Sequence, residues 1–151
     1  MARRFRFRLQ PVLRQREIVE EQRKKEFALA NRAVDEARLK QQAMQEERTQ
    51  MQEDVRVLYE SQSPFQRVLD VYRYQNTLEL QLARNARDLA HLEVFREERR
   101  LVLVEAQKNR KAMELLRDKR RAEQEAENAR EEQTALDELA VQARRRRMTG
   151  G

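Results

Sequence analysis

A length of 151 residues sets one globular domain as the default, but a composition of 40% charged and 5% aromatic residues without Trp or Cys points away from it. The lack of Cys excludes disulfides, thiolate metal sites and cysteine nucleophiles, and fits a reducing cytosol. The net charge of +6 gathers at the two ends, because six arginines precede residue 17 and four occupy 144–147. Those ten set aside, 23 basic residues meet 27 acidic ones, and the middle of the chain is −4.

The first residues, Arg3-Arg4-Phe5-Arg6-Phe7-Arg8, interrupt the apolar stretch a signal peptide would need. An Arg-rich, acid-free start has the character of a mitochondrial transit peptide, but it is poor in Ser and runs unbroken into helical periodicity. Pro11 suits the first turn of a helix, where its missing N–H is not needed, with Gln10 and the arginines before it as a lead-in. From Phe27 the heptads are regular. One seam position holds Phe27, Val34, Gln41, Arg48 and Val55, and the other holds Ala30, Ala37, Met44, Met51 and Leu58.

Ser61-Gln62-Ser63-Pro64 is the strongest break, since proline disfavours helix in the residue before it. Ser63 is placed to cap the following helix, with Pro64 at its first position. That helix carries Gln75, Leu82, Leu89, Arg96, Leu103 and Arg110 on one seam position, and Leu78, Asn85, Leu92, Arg99, Ala106 and Met113 on the other. Past Met113 the phase slips to a new stripe of Ala122, Ala126, Ala129, Gln133, Leu136, Ala140 and Ala143. Arg48, Arg96, Arg99 and Arg110 stand at seam positions where Leu is expected. Either their stems pack while their heads reach water, or the shaft is loose enough to bend or accept a partner.

The expected fold is all-α: one coiled-coil domain over 1–151, two long helices in an antiparallel hairpin. Helix one spans about 11–61, the turn about 61–64, helix two about 65–146, and 147–151 form a frayed tail. At about 1.5 Å per residue the helices are roughly 75 and 120 Å long, and facing residues add to about 126. The first helix is then used up near residue 123, and the second projects beyond it with its stripe uncovered.

This layout offers little to catalysis. His91 is the only histidine, and paired carboxylates need a desolvated cleft that two helices do not make. Without internal glycine there is no phosphate-binding loop. Neither enzyme nor cofactor is expected. No run of about 18 apolar residues suggests membrane insertion. The terminal arginines could meet phosphates in a salt-sensitive, nonspecific way, but no nucleic-acid-binding fold signature accompanies them, and an acidic protein surface serves as well.

Three segments carry a resemblance. Phe5-Arg6-Phe7-Arg8-Leu9-Gln10-Pro11-Val12-Leu13-Arg14 is similar to the opening of many members of the FliJ family of flagellar export proteins, a basic Phe-x-Phe-x-Leu-x-x-Leu segment leading into the first helix. Glu98-Arg99-Arg100 through Ala106, Arg110-Lys111 and Leu116 resembles the middle of the family's second helix. Glu131-Glu132-Gln133-Thr134-Ala135-Leu136-Asp137-Glu138-Leu139-Ala140 resembles its C-terminal E-x-x-x-L-D-E-x-A signature.

The resemblance implies a non-enzymatic stalk of the flagellar type III export apparatus, cytoplasmic and peripheral to the inner membrane at the flagellar base. It would bind the export ATPase ring and the cytoplasmic domain of the export gate, and assist export chaperones. The implied ATPase contact is Leu136, Asp137, Glu138, Leu139 and Ala140. A basic tip of Arg3, Arg4, Arg6, Arg8, Arg144, Arg145, Arg146 and Arg147 would steer it electrostatically. The implied gate contact is Tyr74, Leu78, Gln81 and Asn85, the last two being polar departures from the family pattern. The alternatives are the equivalent stalk of a virulence secretion system, or a basic coiled coil that binds nucleic acid or another scaffold.

Overall fold

The structure is a computed structural model and describes residues 3–150. Among them there are two helices and no strand: α1, Gln10–Glu60, and the longer α2, Phe65–Thr149, which pack against each other. Contacts divide the chain into two compact units, residues 21–104 and residues 1–20 with 105–151.

In the unit 21–104 every expected α1 seam residue from Phe27 to Leu58 is buried or half-buried, as are Gln75, Leu78, Leu82, Asn85, Leu89, Leu92, Arg96, Arg99 and Leu103 of α2. The helices face each other because only this stripe lets apolar side chains leave water together. One buried cluster along it joins Met44 and Met51 to Leu78 and Leu82, with Val71 against them. Asn85, buried within the seam, donates to the Ala37 carbonyl at 3.1 Å and to Gln41 Oε1 at 2.7 Å. With the Arg38–Glu93 pair at 3.0 Å, these bonds set facing positions that add to between 122 and 131, around the expected 126.

The reversal is closed by backbone geometry. Gln62 stands in the left-handed region at φ 53°, its N–H donates to the Tyr59 carbonyl at 3.3 Å, and the Ser63 N–H donates to the Leu58 carbonyl at 3.1 Å. This is a Schellman ending in which glutamine occupies the position glycine usually fills. The expected cap by the Ser63 side chain does not form. Its hydroxyl hydrogen-bonds to that of Ser61, 2.9 Å away, while the Pro64 carbonyl receives Arg67 N–H and Val68 N–H. Ser63 finishes α1 instead of starting α2, and Pro64 lies one position before the first helical residue.

The unit of 1–20 with 105–151 differs from expectation in three ways. First, the covered face of α2 does not slip after Met113. It continues in phase through Arg117 and Gln124 to Asn128, all half-buried, because residues 3–9 cover it. Gln124 and Asn128 both donate to the Arg3 carbonyl, at 3.0 and 3.2 Å. The Arg120 guanidinium lies 6.0 Å over the ring of the buried Phe7. Apolar patterning misses a seam written in Arg, Gln and Asn.

Second, the N-terminal segment reaches beyond residue 123, since residues 3–9 are not helical. Burial alternates along them, with Phe5, Phe7 and Leu9 turned inward and Arg4, Arg6 and Arg8 exposed. Such a period-two segment advances about 3.3 Å per residue, roughly twice the helical rise. The helix begins where the Leu9 carbonyl accepts from Leu13 N–H at 3.0 Å, which puts Pro11 in the first turn. Leu13 is completely buried.

Third, α2 ends at Thr149, not near 146. Nothing breaks the helix before Gly150, whose N–H closes on the Arg146 carbonyl at 3.0 Å. Residues 129–150 are exposed throughout, so α2 does outrun what covers it.

Candidate interaction surfaces

The uncovered end of α2 presents two sides, because residues 200° apart on a helix of 100° per residue are nearly opposite. Gln124 and Asn128 belong to the covered side. Ala122, Ala126, Ala129, Gln133, Leu136, Ala140 and Ala143 form a second stripe on the side facing away, and all of them are exposed. It is a separate face and not the seam displaced. Leu136 and Leu139 are each 61% exposed, far from the state of core leucines. Asp137 accepts a hydrogen bond from Gln133 Nε2 at 3.0 Å, and Asp137 and Glu138 line a shallow groove with Thr134, Val141, Gln142 and Arg145. The five residues named for ATPase contact are all exposed, but as consecutive residues of one helix they do not share a face: Leu136 and Ala140 lie on the stripe, Asp137 and Leu139 on its two edges, and Glu138 away from it.

The single basic tip is two clusters. Arg3 lies level with Gln124 and Asn128. Arg144 is sixteen residues farther along the same helix, about 24 Å. A screening length of about 8 Å at physiological salt makes the two electrically separate. Between them α2 is acidic, with Glu131, Glu132, Asp137 and Glu138 against Arg130.

The four residues named for gate contact are divided by the seam. Tyr74 is exposed, its hydroxyl donating to Glu47 Oε1 at 2.6 Å, and Gln81 is exposed as well. Leu78 is 2% exposed and Asn85 7%. A partner touches these two only if the helices part. One heptad separates Leu78 from Asn85 and Tyr74 from Gln81, and only the first pair falls on a seam position. The Glu47 carboxylate raises the Tyr74 pKa, chiefly through that hydrogen bond, and Tyr59 does the same to Tyr72.

Three of the four seam arginines, Arg48, Arg99 and Arg110, find carboxylates. Arg48 pairs with Glu79 at 3.6 Å and Arg99 with Glu26 at 3.5 Å. Arg110 pairs with the buried Glu20 and, at 2.9 Å, with Glu114, and these hydrogen bonds hold its pKa above the usual guanidinium value. Arg99 also lies 4.7 Å over the Phe95 ring. Beside it Leu29, Ala33, Leu92 and Phe95 line an apolar groove that heptad reading overlooked, since Leu29 and Phe95 lie off the seam positions.

His91 is exposed. Among the described residues there is no cluster of His, Cys, Asp and Glu able to hold a metal, and no helix long and apolar enough to cross a membrane. A family model described as "Flagellar FliJ protein" matches residues 5–149. No curated protein and no solved structure matches the chain.

Proposed function

This chain belongs to the FliJ family, components of flagellar type III export, and from that premise we propose that it acts as a stalk whose projecting helix end inserts into the export ATPase ring. The supporting observation is the uncovered end of α2, where Leu136 and Leu139 stand exposed on a helix that keeps its form without a neighbour. An exposed apolar stripe rimmed by charge is the pattern of a protein-binding helix face. Its family belongs to the non-catalytic parts of the apparatus.

The gate contact in this proposal rests on Tyr74 and Gln81, with Leu78 and Asn85 holding the helix that presents them. Delivery of chaperoned substrates and a position at the cytoplasmic side of the inner membrane complete the reading. Co-purification with the export ATPase is the test. Leu136→Asp with Leu139→Asp should abolish binding and leave helicity and melting nearly unchanged, as expected of side chains already mostly in water. Retained binding refutes the contact, and loss of most helicity would mean that the stripe is internal core.

A further inference from the structure

The uncovered face of α2 has charges along both edges, and their order specifies a partner. One edge carries Glu123, Arg130, Asp137 and Arg144, seven residues apart; the other carries Glu125, Glu132, Leu139 and Arg146. Among the described residues, Glu123, Arg130, Arg144 and Arg146 take part in no ion pair, and Glu125 only in an exposed one with Arg121 at 3.3 Å.

We propose that the occupant of this face is a second copy of the chain, laid antiparallel over residues 122–147, about 39 Å of helix. With facing residues adding to 269, Ala126 meets Ala143, Ala129 meets Ala140, and Gln133 meets Leu136 of the second copy. These small residues permit close approach of the two helices. In that register Glu123 lies beside Arg144 of the second copy, Arg130 beside Asp137, and Glu125 beside Arg146. Two-fold symmetry doubles each contact, giving six complementary pairs and no like-charge pair.

The competing arrangements are all penalised. Shifting the pair by one heptad sets Glu123 against Asp137, Arg130 against Arg130 and Glu132 against Glu132. A parallel pair in register sets Glu132 against Asp137, which offsets the one attraction it keeps within 122–147, Glu125 beside Arg130. Flanking charges select orientation and register in helix pairs through such repulsions. The layers themselves are mostly alanine and bury little, so the pairing is reversible and weakens with salt. It uses the face assigned above to the export ATPase, so the two bindings exclude each other. The inference does not rest on that reading, because the test uses the purified full-length chain alone.

Sedimentation of the wild-type chain should show a concentration-dependent dimer at low salt. Arg144→Glu with Arg146→Glu should weaken it about 100-fold, and so should Glu123→Arg with Glu125→Arg, since each double change turns four attractive contacts repulsive. Mixing the two variants restores every opposite-charge contact, and the heterodimer should regain wild-type affinity. Because the chain has no native cysteine, Ala129→Cys mixed with Ala140→Cys should form an intermolecular disulfide on oxidation, whereas neither variant should cross-link to itself. A monomeric wild type, a mixture that stays monomeric, or self-cross-linking of the Ala129→Cys variant would each overturn the proposal.

Discussion

Leu78→Ala separates a residue that holds the helices together from one that receives a partner. Leu78 is 2% exposed among Met44, Met51 and Leu82. The change removes the equivalent of three methylene groups, about 2.4 kcal/mol of transfer free energy at 0.8 kcal/mol each. A cavity term brings such changes to about 2–5 kcal/mol. A two-helix seam is open along both sides and the neighbouring methionines are pliant, so the lower part of that range, about 2–3 kcal/mol, applies here. The folded-to-unfolded ratio of this unit should therefore fall roughly 30- to 150-fold. Urea unfolding followed by circular dichroism measures the loss, and hydrogen exchange locates it to peptides spanning 44–51 and 78–82. A loss below about 0.5 kcal/mol, the level of an ordinary surface substitution, would refute the placement of Leu78 in a packed seam. Leu78→Met conserves volume and should cost less than about 1.5 kcal/mol. If Leu78→Met abolished gate binding without altering the melt, the assignment of Leu78 as scaffold would fail.

Three further outcomes are expected. Tyr74→Ala should weaken binding to the export-gate domain with little change in melting, and an unchanged pull-down would remove this residue from the contact. Gln62→Gly should raise stability by up to about 1 kcal/mol, because it relieves a side chain in the left-handed region, and a lower urea midpoint would contradict the turn geometry. The Tyr74 pKa is raised in the fold, so the contribution of its bond to Glu47 is complete below the unfolded tyrosine value near 10 and is lost as pH climbs through the higher folded value. Ultraviolet titration of Glu47→Leu should accordingly show one tyrosine ionising at lower pH than in the wild type, and an unaltered curve would exclude the bond in solution.

The arrangement of Asn85 shows where sequence reading stops. Its seam position was evident from the spacing with Leu78 and Leu92, and the register near 126 followed from the turn. That its amide reaches the Ala37 carbonyl and Gln41, which makes it a fastening between helices and not an outward contact, depended on which way the side chain turned. The same holds for Gln124 and Asn128: polar residues contribute nothing to an apolar stripe, so only the neighbouring Arg3 backbone reveals that they belong to the covered face.

Sequence alone determined the two helices, their break at Pro64, their pairing and the uncovered end of α2, because helical periodicity and the absence of breakers are local properties that repeat many times. Only the tertiary structure decided that residues 3–9 lie along α2 without being helical, that the terminal arginines form two clusters, and that the alanine stripe faces away from the seam. Those outcomes depend on reach and rotation about the helix axis, where a few residues of extended backbone or a 200° turn changes which groups meet.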